Sequence, residues 1–166
     1  MHKTENSKGA RVQSNILANN FASIYPGPIY LTIGTPALKL TFTTVDAIDR
    51  FLPAGGKPAA LDATAVNPTK SKAGVLAGEV LALKINVDFA VAGLLGTDLR
   101  YLRVVDGPLA GWTVQDVLAF GNQALGGGGL TYNNVTLTSY DTLEDIITNI
   151  NQNFDRGTVD SGFVLP

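Results

Sequence analysis

Apolar residues in the stretch 73–92 (AGVLAGEVLALKINVDFAVA) fall on two broadly opposite faces of a helix with about 3.6 residues per turn. The two faces consist of Leu76, Val80, Leu83 and Val87, and of Val75, Leu81, Ile85 and Phe89. A surface helix needs one apolar stripe, whereas a helix with two apolar faces is usually enclosed in a core. We therefore predict a central buried helix over about 73–92, around which the rest of the chain packs.

Narrow polar seams separate the two apolar faces. Lys72, Glu79 and Asn86 lie on one seam, and Lys84 and Asp88 lie on the other. Small residues also recur at helical spacing, at Gly74, Gly78 and Ala82. Small side chains in one row allow another stretch of backbone to approach closely, so we expect such a contact along that row.

Shorter patterns flank the central helix. Periodicity predicts helices over 14–24 and 45–52, one beginning at Thr113, and a last one that begins near Asp141 and Glu144 and reaches Phe154. Thr43 or Thr44 is the expected cap of the second helix. Alternating or β-rich runs predict strands over 29–33, 38–42, 100–105, 134–138 and 162–165. Because no regular βαβ alternation is present, we predict an α+β fold with a small, mainly antiparallel sheet.

The chain divides into a polar beginning and one globular domain. Residues 1–13 (MHKTENSKGARVQ) lack the apolar residues of a core or of a signal peptide. We interpret them as an N-terminal extension that another subunit or a sheet edge would hold in place, and 14–166 as a single domain. The connection 54–71 is long, and we expect it to pack on the surface or to have a function of its own.

Composition excludes several classes of protein. The net charge is −2 with 16% charged residues, which gives no basic surplus for nucleic acid. Cys is absent and His2 is the only histidine, so thiolate chemistry and multi-His metal sites are excluded. The central helix is not expected to span a membrane, because Glu79, Lys84 and Asp88 interrupt it.

The acidic residues do not form a recognisable catalytic pair. Glycoside hydrolysis would need two facing carboxylates, and the candidates are Glu79, Asp88, Asp106, Asp116, Glu144 and Asp145. Glu79 and Asp88 lie on opposite seams, and helix N-termini account for Asp116 and Glu144. Asp155 and Asp160 could contribute to an irregular calcium site, although solvated surface is the simpler interpretation. We therefore expect no enzyme, no catalytic residue, no cofactor and no metal site.

Exposed aromatic residues offer a weaker candidate site. Trp112, Tyr101 and Tyr132 could stack on sugar rings. Trp112 lies between Gly111 and the helix cap Thr113, where a tryptophan more often packs into the core. These three residues are retained as candidate stacking residues for a carbohydrate.

Five segments together resemble a known type of domain. They are LTIG (31–34), LTFTTVDAIDRFLPAGGKPAAL (40–61), NPTKSKAGVLAGEVLALKINVDFA (67–90), GPLAGWTVQDVLAFGNQALGG (107–127) and ITNINQNFDRGTVDSGFV (147–164). Their order is similar to a domain of no assigned activity that recurs in secreted and cell-surface proteins of bacteria. The resemblance implies an extracellular or cell-surface location and a structural or matrix role, and it brings no catalytic residues.

These observations favour a non-enzymatic extracellular domain for structure, assembly or adhesion. Its expected partner is a second copy of the chain, in a homo-oligomer or filament, or another surface or matrix component. One mechanism is head-to-tail association, in which residues 1–13 of one subunit complete the sheet of the next. The alternative is a carbohydrate-binding module that uses the aromatic residues.

Overall fold

The structure is a computed structural model that describes residues 14–153 and 162–166. These residues form five α-helices: α1 (Ser14–Ile24), α2 (Val45–Phe51), α3 (Val75–Val91), α4 (Val114–Leu125) and α5 (Tyr140–Asn153). Their strands are β1 (Leu31–Thr35), β2 (Leu38–Phe42), β3 (Ala65–Val66), β4 (Arg103–Val104), β5 (Thr131–Tyr132), β6 (Val135–Thr136) and β7 (Val164–Leu165). The predicted extension 1–13 and the helix end at Phe154 lie outside the described residues.

The predicted central helix is α3, and it is buried on nearly all sides. Of its 17 residues 13 are buried, including members of both apolar faces such as Leu76, Val80, Leu81 and Phe89. It packs against α5 and α4 on one side and against β1 on another. The α+β class and the central helix are therefore confirmed.

The row of small residues on α3 meets the connection that precedes it. A side chain at Gly78 would lie 2.8 Å from the Cβ of Ala54, and the N–H of Val75 donates to the carbonyl of Gly56 at 3.0 Å. Gly74 has a φ of +59°, which a glycine adopts without strain. The long connection is thus fixed against the start of the central helix.

Polar side chains begin three of the helices. Thr44 accepts a hydrogen bond from the N–H of Ala47, and Thr113 accepts one from the N–H of Asp116. The last helix begins differently from the prediction, because Ser139 Oγ accepts from the N–H of Thr142. These bonds satisfy N–H groups that have no partner within the helix.

The main sheet has three strands in the order β1-β2-β3. Strands β1 and β2 are antiparallel, with Leu31 opposite Phe42 and Ile33 opposite Leu40, whereas β3 joins β2 in parallel. These four apolar side chains are buried, so one face of the sheet lies on the core. The remaining strands form two-residue pairs, β4 with β7 and β5 with β6.

The predicted strands over 134–138 and 162–165 are only two residues long in the structure (β6 and β7), and two other predicted strands differ in their backbone. The first strand begins at Leu31, because the N–H of Ile29 is bonded to the carbonyl of Pro26 in a turn. The predicted strand over 100–105 is instead a single 3₁₀ turn (Leu99–Tyr101) followed by β4. Asp98 accepts hydrogen bonds from the backbone and side chain of Arg100, and this local bonding competes with an extended chain.

Within residues 14–153 and 162–166, no helix combines the length and the apolar character that crossing a bilayer requires.

Candidate functional site

Two of the predicted stacking residues lie in one aromatic cluster. The ring centroid of Trp112 is 5.8 Å from that of Phe120 and 6.0 Å from that of Tyr132. Phe120 is fully buried, and Trp112 and Tyr132 are partly buried against the core. The rings of Trp112 and Tyr132 therefore pack largely on each other and on Phe120, which fits the expectation that Trp112 is a core residue.

Tyr101 lies outside this cluster and is 59% exposed. The guanidinium of Arg100 lies 4.9 Å from its ring centroid, so a cation–π contact covers one face. Arg100 also donates to Asp98 at 2.7 Å, and these hydrogen bonds hold the pKa of Asp98 below its ordinary value. Tyr101 is thus the most exposed of the three candidate stacking residues.

The carboxylates of Glu79 and Glu144 line one small pocket. Its volume is about 210 Å³, and Gly78, Ala54 and Thr148 also line it. The sequence pattern predicts Glu144 at a helix N-terminus, but α5 begins at Tyr140 and Asp141 is the acidic residue of its first turn, so Glu144 lies one turn further on, where its carboxylate accepts a 2.9 Å hydrogen bond from Thr148. Binding sites for small molecules usually have about 300–1,000 Å³, so this pocket is small for a sugar.

The first polar seam of α3 is buried and joined to α5. Asn151 donates from Nδ2 to the carbonyl oxygen of Glu79 at 3.0 Å and to its Oε1 at 2.9 Å. Asn86 donates to Asn151 at 3.5 Å. Glu79, Asn86 and Asn151 are all at least about nine-tenths buried, so this seam contributes to the packing of two helices.

The second polar seam lies at the wall of a groove. Lys84 and Asp88 form an ion pair at 2.9 Å, and Tyr25 donates from its hydroxyl to Asp88 at 2.7 Å. Burial of Tyr25, and then the neighbouring Asp88 carboxylate, raise the pKa of this phenol above its ordinary value. The hydroxyl therefore stays protonated and fixes the Asp88 carboxylate.

This groove has a volume of about 480 Å³ and an apolar rim. Ile29 is 69% exposed, Val91 is 50% exposed and Tyr30 is 42% exposed. All three line the groove, together with the ends of α1 and α3. We call the surface of Ile29, Tyr30 and Val91, with Lys84 and Asp88 beneath it, the groove face.

Sequence reasoning missed the groove face. The pattern over 29–33 predicts Ile29 and Tyr30 as strand residues, whereas the turn at Pro26 places both at the surface. The signal is present in Pro26-Gly27-Pro28, since a turn there delays the strand. Val91 belongs to the end of the central helix, but nothing in its periodicity shows that the last turn leaves the core.

The other acidic residues stay apart. Asp106 accepts from the N–H of Gly107 in a turn, and Asp116 lies in the first turn of α4. Among the described residues, no three His, Cys, Asp or Glu side chains converge as metal ligands would. Asp155 and Asp160, the calcium candidates, lie outside the described residues.

Comparisons with known protein families, with curated proteins and with solved structures found no match.

Proposed function

We propose that this chain is a non-enzymatic structural or adhesion domain that associates with further copies of itself, and that the groove face is one side of the contact. The observation that carries the proposal is the grouping of three exposed large apolar residues, Ile29, Tyr30 and Val91, around one groove. Single exposed apolar residues are ordinary, whereas a contiguous group marks an interaction surface.

Burial of these residues would supply a substantial part of the binding free energy. Complete burial of one large aliphatic or aromatic side chain is worth roughly 1.5–3 kcal/mol. Lys84 and Asp88 form an ion pair at the groove wall. Charges near an apolar contact favour one orientation of the partner, so this pair would help to orient the second copy. In the proposed contact the second copy presents a different surface to this groove, which is the geometry of head-to-tail association.

The extracellular or cell-surface part of the proposal rests on the resemblance described from the sequence. In such a setting a domain that associates head to tail would build a filament or join other matrix components. Adhesion to a surface component other than this chain would use the same exposed face.

Paired variants with equal exposure test the proposal. Ile29 and Val66 are 69% and 66% exposed, but only Ile29 lines the groove. We expect Ile29→Asp to weaken self-association of the full chain at least about tenfold, the equivalent of one buried aliphatic group. Val66→Asp should leave it unchanged, as measured by sedimentation velocity over a concentration series. Monomers at all concentrations for the unmodified chain, or equal effects of both variants, would contradict the proposal.

A carbohydrate-binding module is the second candidate, and the exposed ring of Tyr101 favours it. In that case Tyr101→Ala would abolish retention of the chain on immobilised polysaccharides, whereas Tyr132→Phe, in the aromatic cluster, would retain it. A chain that binds no glycan on an array would remove this candidate.

A further inference from the structure

The outer edge of β1 has an unpaired backbone position at Thr32. Gly34 donates from its N–H to Oδ1 of Asn122 on α4, so Gly34 points away from β2. Backbone groups alternate in direction along a strand, so the N–H and C=O of Thr32 also point away from β2. The residue opposite Thr32 on β2 supports this direction. It is Thr41, whose carbonyl accepts from the N–H of Asn67 on the far side of β2 and therefore points away from β1.

Among residues 14–153 and 162–166, neither the N–H nor the C=O of Thr32 has a hydrogen-bond partner. Buried backbone groups are almost always paired. As far as residues 14–153 and 162–166 go, these two groups lie at a sheet edge where water or another strand can pair with them.

The open edge is short because α4 covers the rest of it. Asn122 occupies the N–H of Gly34, and Thr35 Oγ1 donates to the carbonyl of Gly126 at 3.4 Å. The open part thus extends from Tyr30 to Thr32, and Tyr30 belongs to the groove face. A strand added there would bond to Thr32 while its neighbouring residues lie over Ile29 and Tyr30.

We propose that residues 8–12 of a second copy add to this edge as a short strand, paired with Thr32. This inference rests on the proposed function and names the two sides of the contact. Ala10 and Val12 share one side of such a strand with Lys8, and Arg11 lies on the other side, so residues 10–12 alternate as a short strand does. In strand addition the backbone supplies affinity and the alternating side chains supply selectivity.

Length and charge both fit this occupant. Residue 8 lies six positions before Ser14, so an extended segment reaches at most about 20 Å from the start of α1, enough to meet the edge of a copy that lies beside that helix. Residues 1–13 hold three basic residues, Lys3, Lys8 and Arg11, against Glu5. The rest of the chain holds nine basic and thirteen acidic residues, so a positive segment meets a negative body.

Amide hydrogen exchange of the full chain, followed residue by residue by NMR, tests the proposal. We expect exchange at Thr32 to slow about tenfold when the total concentration rises to about a hundred times the dissociation constant, because protection follows occupancy and association depletes the free segments. The amide of Gly34 serves as the internal control, since Asn122 protects it at every concentration.

Two variants of the full chain identify the two sides. Thr32→Pro removes the N–H and blocks the edge, and an outward-facing edge position tolerates proline. The second variant replaces residues 8–12 with five prolines and alters nothing within the described fold. Each should weaken self-association at least about tenfold, whereas Thr32→Val, which keeps the N–H, should not. If Thr32→Pro fails to fold, the five-proline variant still decides.

The other outcomes overturn the inference in distinguishable ways. The Thr32 amide could be protected at every concentration and lose this protection in the five-proline variant. That result would mean that the segment of the same copy occupies the edge. Self-association that persists with a fast-exchanging Thr32 would reject strand addition and leave the proposed function standing. A chain that stays monomeric would reject both.

Discussion

Gly34 donates its backbone N–H to Oδ1 of Asn122 across a distance of 3.0 Å, although 88 residues separate the two along the chain. The bond closes one end of the β1 edge with a side chain from α4. Within the described part of the chain the sheet edge is therefore blocked at Gly34 and open at Thr32, and the difference determines where another strand can pair.

The first prediction concerns this bond. Asn122→Ala should lower the free energy of unfolding by about 1 kcal/mol, the usual net value of a hydrogen bond. It should also speed amide exchange at Gly34. Urea denaturation and NMR measure the two effects. Gln115→Ala, at an exposed position of the same helix, is the matched control and should change neither.

The buried contact between Asn151 and Glu79 gives the second prediction. Asn151→Ala removes both hydrogen bonds to Glu79 and leaves a buried carboxylate with fewer donors. We expect a loss of about 3 kcal/mol in the free energy of unfolding, since two buried acceptors lose their donor. Asn149→Ala makes the same change at an exposed position of the same helix and should alter stability by less than about 0.5 kcal/mol. If chemical denaturation gives the same loss in the free energy of unfolding for Asn151→Ala and Asn149→Ala, the contact between Asn151 and Glu79 does not stabilise the fold.

Gly78 gives the third prediction, because a Cβ there would lie 2.8 Å from the Cβ of Ala54. Alanine raises helix propensity by about 1 kcal/mol over glycine, yet overpacking at this contact costs about 1–3 kcal/mol. We expect Gly78→Ala to be destabilising overall. Adding Ala54→Gly should restore stability, and a double-mutant cycle by thermal denaturation measures the coupling. Additive effects of the two substitutions would exclude the close contact.

The fourth prediction is a dependence on pH. The pKa of Tyr25 is raised in the folded state, so above pH 10 the unfolded chain loses the phenolic proton first. The native state then binds more protons, and stability falls as pH rises by up to about 1.4 kcal/mol per unit. Below pH 10 both the folded and the unfolded chain keep the phenolic proton, so Tyr25 adds no dependence of stability on pH there. Stability curves of the unmodified chain and Tyr25→Phe should be parallel from pH 6 to 9 and converge above pH 10. Curves parallel throughout would contradict the raised pKa.

Local patterns predicted the elements that depend on local physics. Two apolar faces located the central helix, and the threonines at 44 and 113 marked helix starts because their hydroxyls bond to N–H groups three residues on. The strand at 38–42 followed from its alternation. Each of these features is a property of a few consecutive residues.

The candidate site could not be predicted in the same way. Glu79 and Glu144 come together only because α3 and α5 pack, and periodicity contains no information about which helices pack. Ile29 and Val91 meet at a groove for the same reason. The direction of the Thr32 backbone depends on strand register, which only the pairing of β1 with β2 fixes.

The central claim is that one copy's N-terminal segment binds a different surface on the next copy. Sedimentation velocity on an equimolar mixture of Thr32→Pro and the five-proline variant tests it most directly, because each variant keeps the side that the other lacks. At a concentration where each variant alone is monomeric, we predict a species of two chains for the mixture. A mixture that contains only monomers would contradict the claim. So would variants that each associate as strongly as the unmodified chain.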